Sequence, residues 1–169
     1  AKPYVISKMA MSLDGRTAMA SGESKWITAP QARHDVQKLR AASCCVLTGV
    51  DTVLADDPSM NVRLEGVDVE QPLRVVLDSQ LRTPSTAKLL TLAGRTLILT
   101  CSDEQNKVEA LARAGAEVHA INADIQGRLD LNAVLLFLAG QQVNEVLVEA
   151  GSVLNGALME QNLIDECIV

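Results

Sequence analysis

The chain has 169 residues and a formal net charge of −6, and 48% of its residues are hydrophobic while only 2% are aromatic. This length supports one domain with its own core, and an interior of Ala, Val and Leu favours an α/β fold of aliphatic strands packed on helices. The negative charge argues against general affinity for nucleic acid or anionic membrane, and no apolar run is long enough for a transmembrane helix.

The cysteines and the amino terminus place further bounds on the class of protein. Cys44, Cys45, Cys101 and Cys167 have no C-x-x-C spacing, and the chain has only two His to help bind a metal. The pattern therefore predicts no metal site and buried, reduced cysteines in a cytoplasmic protein. The first residues lack a signal-peptide layout and are already strand-like at Tyr4.

In the first part of the chain, strand and helix patterns alternate. Tyr4–Met9 predicts a strand. A helix is predicted to begin at Thr28, because Thr28-x-x-Gln31 fits a capping box and Pro30 is tolerated in a first turn. Cys44–Thr48 predicts a short buried strand, and a turn with a loop or hairpin follows around 61–70.

The alternation continues to the last residue. Strands are predicted at 72–78, 95–100, 115–121, 144–151 and 163–169, and helices at 103–114, 131–141 and 152–162. Such alternation predicts a mostly parallel central sheet with helices on both faces. Because the chain stops at Val169 at the end of an apparent strand, we expect further C-terminal strands to be missing from this sequence.

Ligands of parallel sheets collect where strands end and helices begin, and the junction at 148–158 has features of such a site. Gly151 permits a tight turn, Ser152 can cap the next helix, and a helix N-terminus suits a phosphate. The outer Gly spacing fits a P-loop, but Ala157 and Leu158 replace its Lys and Ser/Thr, so ATP-type binding is not indicated. An ordinary strand–turn–helix and a phosphate site are equally supported by this segment alone.

Two other junctions are polar. Asp56 and Asp57 precede Pro58, and such a pair is more often a solvated turn than a ligand site. Lys8 lies inside an apolar strand, where its charge needs a partner or a ligand unless the strand lies at an edge and the side chain points to water. Trp26, the only tryptophan, either belongs to a ligand site or caps the following helix.

Four motifs in order resemble a known family. They are K-x-A-x-SLDGR-x-A at 8–18, SGES-x-WIT at 21–28, TVLADDP at 52–58 and VEAG-x-x-L at 148–154. Together they resemble the reductase domain of the bifunctional deaminase/reductase of riboflavin biosynthesis, over the whole stretch from Tyr4 to Val169. The resemblance implies a dihydrofolate-reductase-like fold, NADPH as cofactor, and reduction of the ribosyl group of 5-amino-6-(5-phosphoribosylamino)uracil to a ribityl chain.

The resemblance also assigns site residues by motif match. Catalytic roles fall on Lys8, Glu149 and Asp56. Cofactor contacts fall on Ala10, Trp26, Thr52, Asp56, Ser79 and the turn formed by Gly151, Ser152, Val153, Leu154, Asn155, Gly156 and Ala157. Substrate contacts fall on Lys8, Ser24, Arg40, Met60, Arg63 and Glu149.

The assigned roles follow from the chemistry of the implied substrate. The guanidinium groups of Arg40 and Arg63 suit its phosphate. Lys8 is expected to hold a pyrimidine carbonyl, and Glu149 is expected to orient the ribose hydroxyls. Hydride transfer itself is the chemistry of the cofactor, and the protein supplies position.

The resemblance also bears on domains and partners. We expect residues 1–169 to be one reductase domain, C-terminally incomplete, that forms a homodimer. A deaminase domain is expected upstream in the natural chain, but its H-x-E…P-C-x-x-C zinc signature is absent here, so this chain does not deaminate.

Two alternatives stay open. A reductase of the same fold acting on dihydrofolate would need aromatic and apolar walls around its pterin, and this chain is poor in aromatic residues. A non-catalytic nucleotide-binding module would have no need for Lys8, Arg63 and Glu149 to converge on one cleft.

Overall fold

The computed structural model of the chain describes residues 1–12, 14–15, 29–64, 66 and 69–169. Strands and helices alternate through these residues, and the sequence predicts this alternation except for two short helices, Val50–Asp56 and Lys88–Thr91. The strands are β1 Tyr4–Lys8, β2 Cys45–Gly49, β3 Leu73–Leu77, β4 Thr96–Thr100, β5 Glu117–Ala120, β6 Glu145–Val148 and β7 Glu166–Ile168. The helices are α1 Pro30–Ala42, α2 Val50–Asp56, α3 Lys88–Thr91, α4 Gln105–Arg113, α5 Leu131–Gly140 and α6 Ser152–Glu160.

The seven described strands form one sheet in the order β5-β4-β3-β2-β6-β1-β7. Every described strand pair is parallel. The predicted central parallel sheet is therefore confirmed. Strand β1 lies between β6 and β7, so the interpretation of Lys8 as an edge-strand residue is wrong.

Helices cover both faces of the sheet, as predicted. On one face, Leu138 of α5 and Leu158 of α6 pack in a core with Val5 of β1. On the other face, Leu39 of α1 and Val53 of α2 pack with further residues of α3 and α4. A sheet buried on both sides needs strands that are mostly apolar, and β4, with three aliphatic residues between two threonines, is buried at every position.

Three local predictions need correction. Helix α1 begins at Pro30 with Ala29 as an N-cap that makes no side-chain hydrogen bond, because proline is well suited to the first helical position. The predicted cap at Thr28 lies outside the described residues. Helix α2 was not predicted as a helix; it follows β2 directly and ends at Asp56, with Asp57 as its C-cap at a φ of 42°. Helix α6 has Gly151 rather than Ser152 at its N-cap.

The cysteines are free, but the prediction that they are buried holds for only part of the set. Cys45 is buried in β2, and burial raises the pKa of its thiol. Cys101 is partly buried, Cys44 is exposed just before β2, and Cys167 is exposed in the middle of the edge strand β7. Within the described residues, no helix is both long and apolar enough to cross a bilayer.

Candidate active site

The topology forms a crevice between the carboxyl ends of β2 and β6. These neighbouring strands are followed by α2 and α6, which lie on opposite faces of the sheet. Such a switch point is where open α/β sheets bind ligands. The two helix starts approach closely: Thr52 Oγ1 lies 4.0 Å from the Cβ position of Gly151, and Leu154 Cδ2 lies 3.6 Å from that of Gly49.

The N-terminus of α6 at this crevice has open backbone donors. The helix has nine residues, and no side chain caps it at Gly151. Ser152 and Val153 in its first turn are exposed. The first N–H groups of a helix have no intrahelical acceptor and sit at the positive end of its dipole, so this turn fits the phosphates of a dinucleotide.

Lys8 and Glu149 lie side by side at the ends of neighbouring strands. The register of β1 and β6 ends with Ser7 opposite Val148, and Lys8 and Glu149 are the residues that follow this last pair. Side chains alternate along a strand, which puts both residues on the face of α1, as it does for Ile6 and Leu147. Two oppositely charged side chains therefore face one cleft without forming an ion pair with each other.

The carboxylate of Glu149 is held instead by Arg40 of α1. Nε of Arg40 donates to Oε1 at 2.6 Å and Nη2 donates to Oε2 at 2.9 Å. The side chains are only 11% and 16% exposed, so this bidentate pair is far better shielded from solvent than a surface salt bridge. The pair fixes the orientation of the carboxylate in the cleft.

The loop after α2 completes this arrangement. Nη1 of Arg40 donates to the Asn61 carbonyl at 3.0 Å, and the Arg63 N–H donates to Gln37 Oε1 on α1 at 2.9 Å. Met60 has a φ of 52° and a buried side chain, which anchors the loop to the core beneath α2. The Oδ1 atom of Asn61 is buried without a donor among the described residues.

Two cations in the described part of the chain have unpaired side chains. Lys8 and Arg63 make no side-chain hydrogen bond or ion pair there, whereas the other described Lys and Arg side chains are engaged, for example with Glu149, Asp51 and Glu117. Arg63 is exposed and Lys8 is partly buried. Both are thus available to an anionic or carbonyl-bearing ligand.

The two aspartates of the TVLADDP motif differ in their surroundings. Asp57 accepts the Lys88 N–H at 2.9 Å and faces its ammonium at 3.4 Å, so it ties α2 to α3. Asp56 is exposed at the end of α2. Thr52 and Asp56 are four residues apart and share one face of the helix, the face on which Thr52 approaches Gly151.

Ser79 follows β3 on a loop that a buried carboxylate organises. Asp78 is fully buried and accepts hydrogen bonds from the Arg82 N–H, the Thr83 N–H and the Thr83 hydroxyl at 2.7–2.9 Å. The Ser79 hydroxyl accepts from the Leu129 N–H at 3.2 Å. Sequence patterns did not single out Asp78; a lone Asp directly after a buried strand was the available signal.

The remaining assigned residues fall into three groups. Ala10 is partly exposed two residues beyond the end of β1. Ala157 packs against the core on the α6 face and Asn155 is only 3% exposed, so both support the turn from inside. Leu154 packs on the same core and also approaches Gly49 across the crevice. Ser24 and Trp26 lie outside the described residues.

Comparisons with known proteins agree with one another. A family model described as the RibD C-terminal domain matches residues 3–169. The riboflavin biosynthesis protein RibD of Escherichia coli (strain K12) is 42% identical over 178 residues, which cover 99% of this chain and 47% of that protein. The structure of Acinetobacter baumannii RibD, form 1, has a TM-score of 0.83 at 44% identity and covers 98% of this chain and 45% of that chain.

A third relative is a solved structure that is named by its activities. It is a diaminohydroxyphosphoribosylaminopyrimidine deaminase/5-amino-6-(5-phosphoribosylamino)uracil reductase from Thermotoga maritima, with a TM-score of 0.76 at 28% identity, covering 95% of this chain and 42% of that chain. The chain spans about half the length of the curated relatives it matches. The neighbours have the dihydrofolate-reductase-like fold that the motifs imply, so this prediction is confirmed. The chain belongs to the RibD C-terminal domain family.

Proposed function

We propose that this domain reduces the ribosyl group of 5-amino-6-(5-phosphoribosylamino)uracil to a ribityl chain with NADPH. Family membership supports the reaction class. The observation that carries the proposal is the cleft at the carboxyl ends of β1 and β6. There Lys8, which has no side-chain partner among the described residues, lies beside a Glu149 carboxylate that Arg40 holds in place. A non-catalytic nucleotide-binding module would not need this arrangement.

The cofactor would be held at the crevice between α2 and α6. The uncapped first turn of α6 fits its pyrophosphate, and Thr52 and Ser79 border the same edge of the sheet from the ends of β2 and β3. When bound, the reduced nicotinamide supplies the hydride. We choose NADPH over NADH on the family resemblance.

The substrate would lie across Lys8 and Glu149. The ammonium of Lys8 suits a pyrimidine carbonyl, and the fixed oxygens of Glu149 suit the hydroxyls of the opened ribose. In the reduction, C1′ of the ring-opened imine gains a hydride and its nitrogen gains a proton, and both events need this carbon held at a defined distance. Glu149 is therefore proposed as an orienting carboxylate.

The two arginines first assigned to the phosphate have different roles in this proposal. Arg40 is engaged with Glu149 and the Asn61 carbonyl, so a phosphate would have to compete with a bidentate carboxylate for its guanidinium. Arg63 lies on the loop beside α1, and its exposed side chain has no partner in the described part of the chain. We assign phosphate binding to Arg63 and a positioning role to Arg40.

The test compares the substrate with its dephosphorylated form. For Arg63→Ala, kcat/KM on the phosphorylated substrate is expected to fall about 30-fold, because one charge-assisted contact is worth roughly 2 kcal/mol. On the dephosphorylated compound the loss is expected to stay below about threefold. Arg113→Ala removes a cation from a surface pair with Glu109 and serves as the matched control. Equal losses on both compounds would contradict the assignment.

The wider setting of the domain is also a proposal. The relatives' greater length supports fusion to a deaminase domain, and we expect a homodimeric, cytoplasmic enzyme on the family resemblance. Dihydrofolate is the second candidate substrate on fold grounds alone. Turnover of dihydrofolate at a rate matching the phosphoribosyl compound would favour it.

A further inference from the structure

A buried series of hydrogen bonds links the two halves of the cleft. Ser7, fully buried in β1, donates its hydroxyl to Oδ1 of Asn155 at 2.8 Å. Nδ2 of Asn155 donates in turn to the Ala150 carbonyl at 2.8 Å. Both side chains lie in the apolar layer between the sheet and α6, where Val5 and Leu158 pack.

The two ends of this series of hydrogen bonds lie next to residues of the proposed site. Ser7 directly precedes Lys8, and Ala150 lies between Glu149 and Gly151, the N-cap of α6. Among the described residues, no other side chain hydrogen-bonds to the backbone of 149–152. The Ser7–Asn155 contact is therefore the side-chain link that sets this turn relative to β1.

A polar pair at this position is not needed for stability alone. Replacing both partners of a buried hydrogen bond by apolar groups of similar shape is often nearly neutral, whereas removing one partner leaves the other unsatisfied. The surrounding layer is aliphatic, so an apolar pair would fit its chemistry. What the apolar pair would not supply is the directional bond to the Ala150 carbonyl.

We propose that Ser7 and Asn155 are positioning residues that fix the turn from Ala150 to Gly151 for cofactor binding, without themselves touching a ligand. This inference rests on the proposed function, because it takes the α6 turn as the site of the cofactor phosphates. Glu149 is held independently by Arg40, so loss of the pair affects the cofactor half of the cleft more than the substrate half.

Three variants test the proposal: Ser7→Ala, Asn155→Leu and the double variant, with Asn106→Ala on the exposed face of α4 as the control. Thermal unfolding, calorimetric binding of NADPH and steady-state kinetics are measured on each. We expect both single variants to unfold at lower temperature and the double variant to return to within about 3 °C of the parent. In the Asn155→Leu and double variants, Kd and KM for NADPH rise five- to tenfold, while KM for the ribosylaminouracil substrate changes less than twofold.

The deciding comparison is between the thermal stability of the double variant and its Kd for NADPH. A double variant that regains both thermal stability and the parent Kd for NADPH would overturn the proposal, since the pair would then serve packing alone. Equal rises in both KM values would also overturn it. If the parent protein binds NADPH but does not reduce the ribosylaminouracil substrate, the proposed reaction is contradicted, and the Kd values for NADPH still test the role of Ser7 and Asn155. If the parent protein does not bind NADPH, both the proposed function and the role of Ser7 and Asn155 are overturned.

Discussion

Glu149→Gln is expected to lower kcat/KM by about 100-fold while leaving a folded protein. Glutamine keeps the shape of the side chain but loses the negative charge of the carboxylate. In the parent, the two carboxylate oxygens accept hydrogen bonds from Arg40 at 2.6 and 2.9 Å. It also exposes an amide hydrogen to the substrate hydroxyls in place of an acceptor. A lost charged contact worth roughly 3 kcal/mol in the transition state corresponds to about that factor.

The matched control is Glu145→Gln. Glu145 lies four residues earlier on the same face of β6 and accepts from the Ser43 hydroxyl at 3.2 Å, at the opposite end of the strand from the cleft. This change is expected to leave kcat/KM within about twofold of the parent. Similar losses in the two variants, measured on samples with matching circular dichroism, would contradict the role given to Glu149.

A double-mutant cycle separates the roles of the pair. If Arg40 acts through Glu149, adding Arg40→Met to Glu149→Gln lowers kcat/KM by no more than about threefold beyond the single variant, because both changes remove one interaction. If Arg40 binds the phosphate directly, the two losses multiply. Multiplicative losses would restore the role that the sequence motifs first assigned to Arg40.

Arg74→Met is expected to cost about 3 kcal/mol or more in the free energy of unfolding. Arg74 is fully buried at the start of β3. It donates to Thr96 Oγ1 and to the carbonyls of Leu92, Ala93 and Gly94, at 2.7–3.0 Å. Methionine fills the volume but leaves these carbonyls without a donor.

The guanidinium of Arg74 has no carboxylate partner among the described residues. Desolvation lowers its pKa from the usual value, and the aligned carbonyl oxygens compensate for the lost water. In a domain of this size, the predicted loss corresponds to a fall in Tm of roughly 6–12 °C. Urea and thermal unfolding, read by circular dichroism, measure it directly.

Arg95→Met provides the comparison for Arg74. Arg95 lies next to β4 and forms a bidentate pair with Glu117, but the two side chains are 57% and 43% exposed. An exposed pair contributes less than about 1 kcal/mol. Equal destabilisation in the Arg74 and Arg95 variants would show that the buried carbonyl contacts do not carry the predicted energy.

The strands were predictable because apolar runs between polar turns are a local signal. β3 and β4 appear within one or two residues of their predicted bounds, and the parallel sheet followed from their alternation with helices. The start of α1 shifted because Pro30 is best accommodated at the first helical position. Helix α2 was not predicted because it has only seven residues and follows β2 without a loop. The Asp-Asp-Pro sequence at its end indicated a turn instead.

The sequence allowed residues of the candidate site to be predicted, but not the contacts between them. Lys8 was recognised as a charge in an apolar strand, and its place beside Glu149 follows from a register that the sequence does not encode locally. The ion pair of Arg40 with Glu149 joins residues 109 positions apart. The link from Ser7 to Asn155 spans 148 positions, and no short-range pattern marks either pair.

The most direct test of the proposed reduction uses NADPH carrying two deuterium atoms at C4 of the nicotinamide ring. The protein is mixed with this cofactor and 5-amino-6-(5-phosphoribosylamino)uracil, the nicotinamide absorbance is followed, and the product is analysed by mass spectrometry. We predict cofactor oxidation that requires the substrate, and a ribityl product containing one deuterium at C1′. A folded protein that binds NADPH but leaves the substrate unchanged would contradict the proposed function.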